Sequence, residues 1–393
     1  MTSLLRNKNL HVIFSITFIA VMGVASLTPA FPKIAHELRL TKTEVGLLIS
    51  VFTFPGIFLT PVMGVVADRW GRKKVLIPSL FLFAIAGFGG FLFHSFHVLL
   101  ILRFFQGLGA ASLGSLNTTL VGDFFKGKDR PNAMGYNASV LSLSTASFPL
   151  IGGALASIAW YYPFLLPLFA IPVGLFVILK LDEPEITKAP NFLIYLKAVS
   201  KSILRREVVA IFILGILTFI ILYGAFLSYL PFLLNQEFGL SSAQIGIVLS
   251  LSSLTTAIFA TQVGRLTNKF GSLSLLKAAF ILYFLINILI PNIHHLYFLL
   301  IPVLLFGTAQ AFNIPSLQTV LANLAPDQQR GVFMSLNGMV LRIGQTLGPL
   351  VIGIGFTFGE VKGAYYLAAG VALFGVLLLF SMLSNERINQ PGH

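Results

Sequence analysis

Charge is missing from this chain over stretches too long for a water-soluble fold. Val45–Ala67 carries no Asp, Glu, Lys or Arg over 23 residues, Val208–Gln236 over 29 and Phe238–Gly264 over 27. Pro131–Leu179 and Ala278–Pro326 each run for 49 residues, which accommodates two crossings and an uncharged turn. One helical crossing takes about 20 apolar residues, whereas a barrel strand takes about 10 and alternates in polarity. No such alternation is present. In hydrocarbon a segment must satisfy its own backbone hydrogen bonds, so the stretches are read as helices. The spacing predicts an all-α integral membrane protein with twelve spans. They fall at about 10–32, 44–67, 75–93, 98–122, 132–156, 159–180, 208–235, 243–264, 273–290, 296–323, 331–357 and 362–384.

Only 10% of the 393 residues are charged, against roughly 25% in soluble domains. That shortage excludes a soluble enzyme, a nucleic-acid binder and a disordered scaffold together. The formal charge of +13 would suit nucleic acid, but its placement gives it another meaning. With the N-terminus in the cytoplasm, 20 of the 26 Lys and Arg lie on the cytoplasmic side. Four lie outside (Lys33, Arg39, Lys42 and Lys362), and Arg103 and Arg342 stay within spans. The positive-inside rule then puts both termini in the cytoplasm of a cell-membrane protein. Arg6 and Lys8 before an apolar run also fit a signal peptide. Against that, the run is long and has a counterpart later in the chain. The absence of cysteine excludes disulfides and thiolate metal sites.

The second half of the chain lies on the first at an offset of 200. Glu37, Leu40, Gly46 and Ser50 meet Glu237, Leu240, Gly246 and Ser250; Gly64, Gly71 and Gly107 meet Gly264, Gly271 and Gly307. Arg130, Met134, Asn137, Pro149 and Gly153 meet Arg330, Met334, Asn337, Pro349 and Gly353. Two parallel six-helix halves follow, residues 1–180 and 208–393, joined by a cytoplasmic linker, 181–207. In the linker Phe192, Leu196, Val199 and Ile203 recur at helical spacing among Lys and Arg, as in a helix lying on an anionic membrane surface. A plain solvated linker is the other reading. Parallel halves of this kind place a transport site between them.

Residues 64–74 read Gly64-Val-Val-Ala-Asp68-Arg69-Trp-Gly71-Arg72-Lys-Lys. This strongly resembles the signature loop of the major facilitator superfamily, G-x-L-A-D-R-x-G-R-K, with Val66 in place of leucine. The second copy, Gly264 to Gly271, carries Asn268 where the first has Asp68. Arg103-Phe-Phe-Gln106-Gly107-Leu-Gly109-Ala-Ala is similar to the R-x-x-Q-G-x-G-A-A motif of proton-coupled members. Pro149-Leu-Ile-Gly152-Gly153 resembles the tail of the antiporter motif G-P-x-x-G-G, with Phe148 in place of the first glycine; Gly348-Pro349 retains that glycine. The resemblance covers nearly the whole chain and points to the twelve-span drug:proton antiporter branch.

The resemblance implies a major facilitator fold and a gate at the cytoplasmic rim built from Asp68, Arg72 and Asp123 with Gly64, Gly71 and Arg330. In the outward-facing state Asp68 would face the start of the eleventh span near Arg330 and Gly331, and Arg72 would meet Asp123. The residues themselves supply a candidate cavity: Arg103, Gln106 and Asn117 in the fourth span, Tyr223 in the seventh, Gln310 and Asn313 in the tenth, Arg342 and Gln345 in the eleventh. A charge at mid-membrane costs roughly 2.5–3.5 kcal/mol even on lenient scales, so an arginine there normally faces a cavity or a partner. For Arg103, near the outer side, snorkelling to the interface is the competing reading. Gly107, Pro149, Gly152, Gly153, Gly348 and Pro349 read as close helix packing rather than ligand contacts.

No carboxylate pair, Ser–His arrangement or H-E-x-x-H element lies within a span, so membrane-embedded catalysis is not expected. His94, His97, His294 and His295 sit in short outer turns and read as interfacial polar groups. No cofactor, metal or nucleic acid is expected. The expected function is alternating-access secondary transport by a monomer in the lipid bilayer: proton-coupled export of small amphipathic compounds. All 13 acids fall in loops or at span ends, so neutral or anionic substrates are expected over cations, and the proton carrier is unassigned. A lipid or metabolite transporter of the same fold, and a non-transporting receptor or assembly protein, are the alternatives.

Overall fold

The computed structural model describes residues 4–127, 129–183, 203–326 and 329–383, the side chains of residues 330 and 331 excepted. Eleven helical runs among them are long and apolar enough to cross a membrane. The last, Val332–Met382, has 51 residues, which at about 1.5 Å per residue far exceeds the roughly 30 Å hydrocarbon layer. Its helix breaks at Gly359 and at Glu360, where φ turns to +50°. Gly355 and Gly363 then let the two segments fold back on each other, each glycine lying against the other's carbonyl. The run therefore makes two crossings, spans 11 and 12, and the fold among the described residues is a twelve-span helical bundle. Most of the linker, and with it the proposed surface helix at Phe192, Leu196 and Val199, lies outside the described residues.

The repeat is visible in the way helices begin. Span 2, Lys42–Trp70, is capped by Thr41, whose hydroxyl accepts from the Glu44 amide while Glu44 reaches back to the Thr41 amide. Span 8, Ser242–Phe270, is capped in the same way by Ser241 and Gln244. Each box satisfies two amide donors that the first helical turn leaves free. Both spans end in glycine at positive φ, Gly71 at +102° and Gly271 at +82°. An L side chain rarely adopts that backbone, which accounts for glycine at both signature-loop positions.

Several spans depart from plain α-helix. Span 1, Lys8–Glu37, turns through a 3₁₀ step at Thr28–Ala30. Span 6, Tyr162–Lys180, opens as 3₁₀ helix around Pro163 and Pro167. Span 7, Arg206–Phe238, carries a π segment at Ile221–Tyr229, in which the Ser228 hydroxyl donates to the Tyr223 carbonyl at 2.7 Å.

Buried apolar side chains gather into two large cores. One draws on residues between Leu10 and Leu181 together with Phe232; the other runs from Val208 to Leu383. Outward, Leu143, Leu179, Tyr297, Phe298 and Phe358 are exposed, the apolar exterior a bilayer requires. On the end that carries Lys8, Arg69, Lys73 and Lys180, here the basic end, Lys8 and Asn9 donate to Asp182 at 2.8 and 3.0 Å. These bonds hold the Asp182 carboxyl below the usual carboxylate range.

The two cores meet along antiparallel crossings that repeat the 200 offset. Span 2 runs against span 11: Thr43 beside Gly353, Gly46 against Pro349, and Thr60 beside Gly338. Span 5, Asp129–Ile158, runs against span 8 with Gly153 on Ser242 and the Pro149 carbonyl on Gly246. Among the described residues, three hydrogen bonds join the halves. Lys42 donates to Gln236 and the Ala243 amide to Ser157 (3.0 Å), both at the far end; Thr53 meets Thr346 at 2.9 Å nearer mid-depth. Toward the basic end the contacts fade. A Cβ added at Gly64, Gly135 or Gly264 meets nothing within 4 Å. Among the described residues, the hydrogen bonds and glycine contacts named between the halves lie from the far end to the depth of Thr60 and Gly338.

Candidate functional site

The basic rim of the N-terminal half is organised by one arginine. Arg72 opens span 3, Arg72–Leu92, directly after Gly71. Its Nη2 lies 2.5 Å from Asp68 Oδ1 and its Nε donates to Asp123 Oδ2 at 2.9 Å. One buried guanidinium thereby ties the end of span 2 to the end of span 4, Phe96–Phe124. Asp68, Arg72 and Asp123 thus come together within one half, and Asp68 pairs with Arg72. The side chains of Arg330 and Gly331, expected near Asp68, lie outside the described residues.

Arg103 is 2% exposed and points into the bundle rather than snorkelling outward. Its Nε donates to the Leu48 carbonyl at 3.0 Å and its Nη1 to Gln106 Oε1 at 2.7 Å. The guanidinium lies over the Phe52 ring at 4.3 Å. Arg103 Nη2 and Gln106 Nε2 are buried without partners, so the pair has spare donors. In span 11 the same spacing recurs: Arg342 Nη1 donates to Gln345 Oε1 at 3.0 Å. This R-x-x-Q echo is outside the 200 register, which is why the repeat does not reveal it. Arg342 belongs to the C-terminal half, yet its stem lies against Gly56 of span 2 and its Nη2 approaches Gly114 of span 4. It bridges the space between the halves. Tyr223, in the π segment, packs against the N-terminal core.

The remaining polar candidates enter helix-linking clusters that the sequence reading only half identified. Asn117 donates to Thr17, Thr17 donates to Asn137 at 2.5 Å, and Asn137 donates back to Asn117 at 3.0 Å. This closed ring joins spans 1, 4 and 5. In the other half Asn313 of span 10, Leu296–Leu324, exchanges hydrogen bonds with Thr218 of span 7 at 3.1 and 3.2 Å. Gln310 is 5% exposed, with both amide atoms unpartnered. Thr17, Asn137, Thr218 and Asn337, which complete these clusters, are not among the polar residues singled out from the sequence. Pairing Asn137 with Asn337 in the repeat was the signal that could have found them.

The small residues lie at backbone-to-backbone crossings, as packing positions would. A Cβ at Gly107 would overlap the Phe52 carbonyl, one at Gly152 the Ser26 carbonyl, and one at Gly348 would come within 2.9 Å of the Gly224 amide. Gly307 repeats the Gly107 arrangement against the Ser252 carbonyl. Backbone has little room to yield, so Gly107→Ala is expected to destabilise the fold by about 1–3 kcal/mol. Gly64→Ala, facing open space, leaves the unfolding midpoint in detergent unchanged. Equal midpoints for both variants would contradict this assignment.

A two-cored bundle of twelve crossings, with polar side chains buried at mid-depth and halves joined at one end, defines a multi-pass membrane transporter. The chain belongs to the Major Facilitator Superfamily, whose profile matches residues 13–241 and 233–392. It is a secondary transporter that moves a small-molecule substrate, not an enzyme. Multidrug resistance protein 1 of Bacillus subtilis (strain 168) is 28% identical over 380 residues, covering 95% of this chain and 96% of that protein. The bacillibactin exporter of Bacillus subtilis (strain 168) is 28% identical over 368 residues, covering 88% and 89%. Quinolone resistance protein NorA of Staphylococcus aureus (strain MRSA252) is 24% identical over 382 residues, covering 95% and 96%. Among solved structures, the nucleoside transporter NupG superposes with a TM-score of 0.79 at 14% identity, over 96% of this chain and 100% of that one. The human organic anion transporter MFSD10 gives 0.71 at 22% identity, over 95% and 99%. These similarities establish the fold and a distant relation to drug efflux pumps.

Proposed function

We propose that the chain exports neutral or anionic amphipathic compounds from the cytoplasm in exchange for protons, as a monomer working by alternating access. The observation that carries the substrate class is electrostatic. The charged groups at mid-depth are the cations Arg103 and Arg342, and among the described residues no carboxylate pairs with either. A cation entering beside them meets unscreened like charge at low dielectric, whereas an anion or a neutral hydrogen-bonding molecule does not. Apolar walls with a few fixed polar groups suit such a ligand.

In this reading the basic end is cytoplasmic, the two six-helix halves, 1–180 and 208–393, rock about the far end, and the present arrangement is open inward. Gly64 and Gly264, with free space above them, are where the opposite half closes in the outward-facing state. Arg72, holding Asp68 and Asp123, keeps that rim shaped for closure; a pair made in one state and altered in the other biases the equilibrium. Proton exchange rests on the resemblance to drug:proton antiporters and on the efflux relatives.

The test is uptake into proteoliposomes with and without an imposed pH gradient. A fluorescent neutral or anionic amphiphile is expected to accumulate about tenfold over a quaternary ammonium dye, the equivalent of about 1.4 kcal/mol. Gradient-driven transport of the quaternary dye, undiminished by Arg103 or Arg342 substitution, would overturn the substrate class. Uptake indifferent to the gradient would overturn proton exchange.

A further inference from the structure

The two halves treat equivalent polar clusters differently. In the N-terminal half, Thr17, Asn117 and Asn137 close a ring in which each side chain both donates and accepts. The corresponding C-terminal spans carry Thr218, Asn313 and Asn337, but here only Thr218 and Asn313 bond to each other. Asn337 is 4% exposed and its Oδ1 is buried without a partner.

The register explains the opening. Asn137 and Asn337 match at an offset of 200, and Thr17 and Thr218 at an offset of 201. Asn117, shifted by 200, falls on Leu317; Asn313 sits four residues earlier. One helical turn, about 5.4 Å, therefore separates Asn313 from the place that would close the ring on Asn337. A narrow cleft lies there, lined by Thr218, Asn313, Gln318 and Asn337 with Phe219, Leu317 and Leu341; its exposed walls are apolar, and Asn337 Oδ1 lies buried beneath them. Among the described residues, no charged side chain lines it.

We propose that Thr218, Asn313 and Asn337 form a binding subsite for an uncharged N–H or O–H group of the transported compound, with Asn337 Oδ1 as the acceptor. The N-terminal ring, satisfied internally, is scaffold; the C-terminal one is completed by ligand. The bonding asymmetry gives recognition to one half, and the cleft's size restricts it to a single functional group while the apolar body of the ligand lies outside. This deepens the neutral-amphiphile reading and rests on it.

A matched pair of fluorescent probes separates the two ideas. N-butyl dansylamide is neutral and carries one sulfonamide N–H; its N-methyl derivative has the same shape class without the donor. Binding of each to the full chain in nanodiscs is read by fluorescence enhancement. A single intramolecular hydrogen bond contributes a modest net amount, so about a fivefold to tenfold preference for the N–H probe is expected in the wild type. Asn337→Leu should bring that ratio to about one, and Asn137→Leu should leave it unchanged. The ratio does not depend on the folded fraction of a preparation, and Thr218→Val supplies a second variant should Asn337→Leu fail to fold. Equal binding of both probes to the wild type, or a preference that survives Asn337→Leu and Thr218→Val, overturns the subsite alone. Failure of both probes to bind the wild type overturns the neutral-amphiphile reading and the subsite with it.

Discussion

Arg103→Ala is expected to cut transport at least about tenfold and to lower the folded yield, while Arg103→Lys keeps an intermediate activity. Alanine leaves Gln106 Oε1 buried without its donor, at a cost of about 1–3 kcal/mol, and takes from the Leu48 carbonyl the bond it accepts beyond its own helix. It also removes the cation from the Phe52 face. Lysine restores a charge and a donor, but not two divergent N–H bonds in one plane, which only the guanidinium fork supplies. Initial uptake rates, normalised to monodisperse protein, measure the difference. If alanine and lysine variants transport alike, the geometry around Arg103 has no bearing on turnover.

Lys42→Ala should shift the resting population toward a state closed at the basic end. Lys42 belongs to span 2, yet it donates to Gln236 and lies 4.6 Å from the Phe356 ring and 5.8 Å from the Phe232 ring, all of the other half. Phe31 faces Phe232 nearby at 6.5 Å. Cation–π contacts contribute about 0.5–1 kcal/mol when exposed and about 2 when desolvated, so losing these together changes the ratio of states roughly tenfold. The chain has no cysteine, so spin labels placed through Trp70→Cys and Phe270→Cys report without background. These exposed positions end spans 2 and 8 at the basic end. Lys42→Ala should enrich the shorter of the label distances; an unaltered distribution would show that the far-end contacts do not hold the state.

Much of this was legible in the residues. Val208–Gln236 had to be a helical span because no other structure satisfies its backbone in hydrocarbon. The break at Gly359 and Glu360 was marked by charge between apolar runs. The 200 offset matched Gly46 with Gly246 and Pro149 with Pro349; the structure sets Gly46 against Pro349 as it sets Gly246 against Pro149, since a repeated chain repeats its close approaches. Helix ends were less legible: span 4 was read as 98–122 and runs Phe96–Phe124, because apolarity marks the hydrocarbon layer and not the last hydrogen-bonded turn. The π segment at Ile221–Tyr229 was not legible, since its close approach at Gly224 is to Gly348 and Ile352, far away in sequence.

The sequence by itself therefore determined the crossings, the internal repeat and the composition of the polar set, because hydropathy, charge placement and repetition are properties of the chain read in order. The direction of Arg103, the bridging of both halves by Arg342 and the ring that closes around Asn117 but stays open at Asn337 were decided by tertiary structure. So were the contacts that join the halves at the far end. A side chain's partner depends on helix rotation and on a one-turn displacement between helices far apart in sequence. Contacts between the two cores, such as Lys42 with Phe356, likewise join side chains far apart in the sequence.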